Sequence, residues 1–227
     1  MKTTIRILLG VAICLLTYLC VMSVVTPIRF EEKRNAREGA VIKNLVNIRT
    51  AEVEFKLQNG RFTADLDSLL LFLKTAKKKE VLKEGALTDA QLEAGMTEQK
   101  AVKIIQKGNQ KEIEKNGLQG FRRDTIYTNL IQSLYKGEYD ENSIEQIIYI
   151  PYTDKVRYEV EVDNNYTTSK GIKVPLFEAR AHFNTYLGDL DEQERINLID
   201  KEEKLEHYPG LKVGSIVEPN NNAGNWE

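Results

Sequence analysis

Two histidines are the first candidates for chemistry in this 227-residue chain. His182 falls on the polar side of an alternating stretch, beside Glu178 and Arg180, and His207 precedes Tyr208-Pro209 at the end of a charged helical run. Both read as structural, the second as a group that meets the negative end of a helix dipole. The two cysteines, Cys14 and Cys20, lie inside an apolar run, and six residues apart on one helix they point to different faces. Without cysteine elsewhere, a Cys/His metal site or a thiol redox centre has no ligands in the remainder. The acid clusters Asp189/Asp191/Glu192 and Asp140/Glu141/Glu145 offer hard oxygen ligands of the kind calcium takes, but their spacing fits no calcium loop, and surface acids are the better reading. Asn165-Tyr166-Thr167 spells a glycosylation sequon and reads as a polar turn. GxSxG, HExxH, Walker and GxGxxG patterns are absent. The expectation is a protein that is not an enzyme and needs no cofactor or metal.

The chain carries 32 Lys and Arg against 34 Asp and Glu, and 41% of its residues are hydrophobic. That near balance does not suggest a nucleic-acid partner, and the composition is that of a globular domain.

The elements around these residues begin with ILLGVAICLLTYLCVMSVVTPI, residues 7–28, which contains no charge. At about 1.5 Å per residue it spans roughly 33 Å, the thickness of a hydrocarbon core. A cleaved signal sequence has a shorter core ending in small residues, which MSVVTPIRF does not supply. Ile13 and Leu19 precede the cysteines where a lipoprotein needs a small residue. The run is expected to be an uncleaved single-pass anchor with the lipid bilayer as partner. Positive residues counted on the two flanks lean toward a cytoplasmic C-terminal side.

Behind the anchor, Pro27 predicts a kink. Val41, Leu45, Ile48, Ala51 and Phe55 then mark one apolar helix face, and Ile42, Val46, Val53 and Leu57 a second. Two apolar faces are met either by a well-buried core helix or by another chain. Asn59-Gly60 stops the helix, since glycine takes the left-handed conformation without penalty. Anchor and helix together predict a rod of about 78 Å.

Thr63 or Asp65 caps a short helix through Leu73. Residues 74–118 are polar and lysine-rich, with Lys77-Lys78-Lys79 expected on a solvated helix face and helix starts at Thr88 and Thr97. Strands are expected within DTIYT, at 145–151, 156–162 and 173–183, and over LKVGSIVE at 211–218, with a solvated helix from Asp189 to His207. Trp226 is expected to pin a polar tail. The arrangement is α+β: a long N-terminal helix on a C-terminal antiparallel sheet. The expected segments are a transmembrane anchor at 1–28, the amphipathic and short helices at 29–73, a charged helical insertion at 74–120, and a β-rich region at 121–227 completing one globular domain.

The membrane helix with its proline, the continuation VIKNLVNIRTAEVEFKLQNGRFTADLDSLLLFL and the late strands resemble the type IV pilins and the pseudopilins of type II secretion. Phe55, Asn59, Gly60, Phe62 and Thr63 occupy the positions of that family's helix end and turn. The stretches IRTAEVEF, NGRFTADLDSL and YPGLKVGS also resemble a group of membrane-anchored proteins of Bacteroides-type bacteria. The pilin resemblance covers about the first 73 residues and implies a non-catalytic subunit of a bacterial envelope filament or secretion machine. It implies an inner-membrane anchor, a periplasmic domain, and assembly with itself or sibling subunits through Val41, Ile42, Leu45, Val46, Ile48, Val53 and Phe55. The chain departs from the family at the anchor. Gly10, the one glycine there, lies inside the apolar run, and Leu15 stands where an acid would follow the processing glycine. That departure implies the alternative, a monomeric membrane-tethered binding or accessory module that does not polymerise.

Overall fold

A computed structural model describes the backbone of residues 2–227 and their side chains, apart from those of 2, 3, 80–83, 124 and 125. In chain order the elements are α1 (Lys2–Asn59), α2 (Leu66–Thr75), β1 (Lys77–Glu84), α3 (Asp89–Glu93), α4 (Glu98–Lys107), α5 (Gln110–Lys115), β2 (Arg122–Asn129) and α6 (Leu130–Tyr135). A 3-10 turn (Ile144–Ile148) follows, then β3 (Glu159–Asp163), β4 (Leu176–His182), α7 (Phe183–Tyr186), α8 (Glu192–Lys204) and β5 (Gly210–Gly214). The fold is α+β, with a long N-terminal helix and a C-terminal antiparallel sheet. The chain divides into two compact units, 1–72 with 141–227, and 73–140.

In the first unit α1 is one helix of 58 residues that passes Pro27 without interruption. It ends where Gly60, at φ 75°, donates its N–H to the Lys56 carbonyl at 2.8 Å. Asp65 caps α2, its carboxylate oxygens accepting the N–H groups of Asp67 at 3.1 Å and Ser68 at 3.2 Å. The sheet has the order β3-β4-β5, antiparallel throughout. Its register puts Val160, Ala179 and Val213 in one cross-strand row and Glu159, Arg180 and Lys212 in the next. Successive rows therefore face opposite sides. The apolar side packs on α1: Phe177, Ala179 and Val213 are fully buried, as are Val41, Leu45, Ile48 and Ala51. On the other side Arg180 pairs with Glu159, Glu161 and Glu178, and Lys212 reaches Glu178 at 3.0 Å.

Residues 145–151 do not form the expected strand. Ile144, Ile147 and Ile148 lie on a 3-10 turn and are buried, with Asn44 of α1 donating to the carbonyls of Gln146 (3.2 Å) and Tyr149 (3.1 Å). The three isoleucines are spaced three and four apart, a helical spacing that the β-branched composition concealed. The strand expected at 156–162 starts three residues late, leaving Val156 exposed and Tyr158 buried, its hydroxyl donating to the Val41 carbonyl at 3.2 Å. The tail is pinned, but not by the expected residue: Gly224 bridges Val213 and Asn225 exchanges hydrogen bonds with the β5 backbone, whereas Trp226 lies against Gly224 of the tail itself.

In the second unit β1 and β2 form a two-stranded antiparallel ribbon from Lys77↔Asn129 to Glu84↔Arg122. Lys77, Lys78 and Lys79 therefore lie on a strand, not on the helix face expected from their charge. On a strand Lys77 and Lys79 share the exposed side while Lys78 is half-buried. Between the strands, α3 and α4 start at the expected caps: Thr88 forms a capping box with Gln91, and Thr97 accepts from the Lys100 N–H. Ala101, Leu118 and Phe121 form a small core joined by Leu87, Met96, Val102, Ile104, Ile105 and Ile113.

Candidate functional site

The helix α1 presents two surfaces of opposite fate. From Ile5 to Val24 every large apolar side chain except Met22 is 53–67% exposed, all round the helix. This stretch is long and apolar enough to span a membrane, with a mean hydropathy of 2.6 in its most apolar window and none of that window buried. From Phe30 onward the same helix becomes the spine of a folded head.

Of the residues expected at an assembly face, Val41, Leu45 and Ile48 are fully buried, and Phe55 is half-buried in edge-on contact with Phe72, ring centroids 5.0 Å apart. These four hold the head together, so a polar residue at Ile48 unfolds it before any assembly is tested. Ile42, Val46 and Val53 are only half-buried, and Leu57 is 73% exposed. Positions 42, 46, 53 and 57 fall within about 60° of one another around the helix. This stripe is a partly bare side of the second half of α1.

Glu52, unremarked in the sequence, lies fully buried on α1. One carboxyl oxygen accepts the Thr63 N–H at 3.1 Å, fastening the turn after Gly60 back onto the helix; the other finds no hydrogen-bond partner among the described residues. Burial pushes this carboxyl up to about 8, against the smaller opposing effect of the Thr63 N–H. At neutral pH it is chiefly protonated, the form that burial tolerates. The same turn is held from the sheet side: Asn164 accepts from the Phe62 N–H at 2.9 Å and donates to its carbonyl at 3.1 Å, and Phe62 packs on Phe177.

Nearer the apolar end, Arg37 forks onto both oxygens of Asp189, one of them at 2.8 Å, and donates to the Tyr186 carbonyl at 2.7 Å. The guanidinium holds Asp189 down to about 2. Tyr186 is fully buried, its hydroxyl unpartnered among the described residues. Asp191 caps α8 by accepting from Glu194. Two members of the first acid cluster are thus occupied, one by an arginine and one by a helix end. At the other end of α1, Arg49 donates to the carboxylate of Glu227 at 2.6 Å and ties down the tail.

The histidines serve local structure. His182 Nδ1 accepts the Asn184 N–H at 3.0 Å and caps α7, which requires the neutral ring nitrogen, and burial lowers its basicity accordingly. His207 Nδ1 lies 3.2 Å from a Glu202 carboxylate oxygen just past the end of α8. Thr167 bridges Lys173 across the turn that holds the sequon. The described side chains form no cluster of three or more metal-ligating groups. The site of interest is therefore the surface of α1 itself. No family model, no curated protein and no solved structure matches this chain.

Proposed function

We propose that the chain is a membrane-anchored, non-catalytic structural subunit of a bacterial envelope assembly, built like a pilin or pseudopilin. One observation carries the reading: a single unbroken helix whose first half is bare and apolar on every side and whose second half is the buried spine of the head. In water the exposed run would be a severe aggregation hazard; in a bilayer it is an anchor. The stripe of Ile42, Val46, Val53 and Leu57 continues that apolar surface above the membrane and supplies a face for a like helix. On this reading the domain is periplasmic and the anchor lies in the inner membrane.

The anchor's sequence favours a second reading. Gly10 inside the run and Leu15 beyond it leave the anchor without the acid that aligns subunits in the resembled family. A tethered module that stays monomeric needs no such acid.

One experiment separates the two. Cysteines placed at Val53 and Leu57, with Cys14 and Cys20 changed to serine, are oxidised in native membranes. A structural subunit gives cross-linked copies or mixed dimers with sibling subunits, abolished by Val46→Asp. A ladder-free monomer band, with the chain still in the membrane fraction, supports the tethered module and overturns assembly.

A further inference from the structure

A cleft of about 180 Å³ lies where α1 passes from its bare half into the head. One wall is a single face of α1: Thr26, Arg29, Phe30 and Lys33, spaced three and four residues apart. The other is the loop Asp189-Leu190-Asp191 that leads into α8. Thr26 belongs to the uncharged run and Arg29 is the first charge beyond it. On the anchored reading, on which this inference rests, the cleft is level with the boundary between acyl chains and headgroups.

Its charges select the occupant. The two carboxylates are already engaged, Asp189 by the fork of Arg37 and Asp191 by the start of α8. Arg29 and Lys33 are exposed and have no hydrogen bond or ion pair among the described residues; Lys33 acts on Asp189 only through space. A cation entering the cleft would meet Arg29, Lys33 and Arg37, whereas an anion meets two donors one helical turn apart. Arginine and lysine at such a boundary extend along apolar surface and place their charge among phosphates. We propose that the cleft binds the phosphate of one phospholipid headgroup, with Arg29 and Lys33 as its donors, and so seats the head on the membrane surface.

The test uses the full chain in nanodiscs of phosphatidylethanolamine and phosphatidylglycerol, released into a mass spectrometer under native conditions. The wild type is expected to retain one phospholipid. Arg29→Gln/Lys33→Gln should lower the retained fraction about tenfold, while the charge-matched Lys170→Gln/Lys173→Gln leaves it unchanged. Equal retention by all three, with equal melting temperatures, overturns the site. Titration of inorganic phosphate into the detergent-solubilised chain distinguishes the source. Binding of free phosphate that depends on Arg29 and Lys33, with no lipid retained, overturns the lipid assignment. Extraction of the wild type by alkaline carbonate removes the anchored reading and this one with it; retention in the membrane with equal lipid binding removes this one alone.

Discussion

The two halves of α1 are made from much the same side chains and meet opposite environments. Leu15 and Leu16 are 58% and 60% exposed, while Leu45, thirty residues on, is fully buried. The difference lies in what separates the apolar residues. In the first half nothing charged interrupts them from residue 7 to residue 28, so no direction around the helix is suited to water. In the second, Lys43, Arg49 and Lys56 alternate with the valines and leucines, so the apolar groups gather on faces. An uninterrupted run calls for an apolar solvent, and a periodic one calls for a partner surface. Here the sheet β3-β4-β5 supplies one face of that surface.

The sharpest way to break this comparison is to make the same substitution in both halves. Leu45→Arg buries an unpaired charge in the core between α1 and the sheet, with an expected loss of about 4 kcal/mol or more. Thermal melting should then show a head that does not fold. Glu52 gives the next largest effect, confined to the buried half. Its carboxyl titrates near 8 in the folded chain and near 4.5 when unfolded. Between those values the folded state holds a proton that the unfolded chain has released. Its contribution is therefore fully present below about pH 4.5 and declines as pH rises to about 8, by on the order of 2–4 kcal/mol. Urea unfolding across that range should show the decline, and Glu52→Gln should flatten it, with the greatest gain at the alkaline end. Leu15→Arg, in the bare half, should leave the melting of the head unchanged. Its effect falls on insertion, which loses about 2.5–3.5 kcal/mol and shows as a larger fraction released by alkaline carbonate. If Leu15→Arg instead lowers the melting temperature, the two halves are not separate environments. The smallest effect is at the helix stop. Gly60→Ala meets no neighbour within 4 Å, so its cost is that of a left-handed alanine alone, about 1 kcal/mol.

The sequence made visible what depends on near neighbours. Asn59-Gly60 marked the end of α1, Asp65 and Thr97 marked helix starts, and Phe177, Ala179 and Ala181 marked the buried side of β4. Where two patterns coincided, local reading chose wrongly. The isoleucines at 144, 147 and 148 are β-branched yet spaced for a helical turn, and the turn prevailed because it brings all three into the core beside α1. The lysines at 77–79 gave no apolar period, and only their pairing with residues 127–129 makes a strand of them. The rest depends on contacts far apart in the chain. Arg37 lies among several charged residues behind the anchor; its role comes from Asp189, 152 residues later. Glu52 sits among residues that look like an ordinary charged helix, and nothing nearby shows that the Thr63 N–H will fold back onto it. Which apolar stripe of α1 the sheet covers could not be read either, because both have helical spacing; the fold buries Val41, Leu45 and Ile48 and leaves Ile42, Val46 and Val53 half open.

The most direct test is a nitroxide scan along α1 in nanodiscs, one label at a time from residue 8 to residue 57, with Cys14 and Cys20 changed to serine. Oxygen and a water-soluble nickel chelate are used as relaxing agents. Labels at 8–24 should be reached by oxygen and not by nickel on every side of the helix, and labels at 41, 45 and 48 should be immobilised and reached by neither. Nickel access throughout 8–24, or mobile labels at 45 and 48, would contradict a single helix that spans the bilayer and then forms the spine of the head.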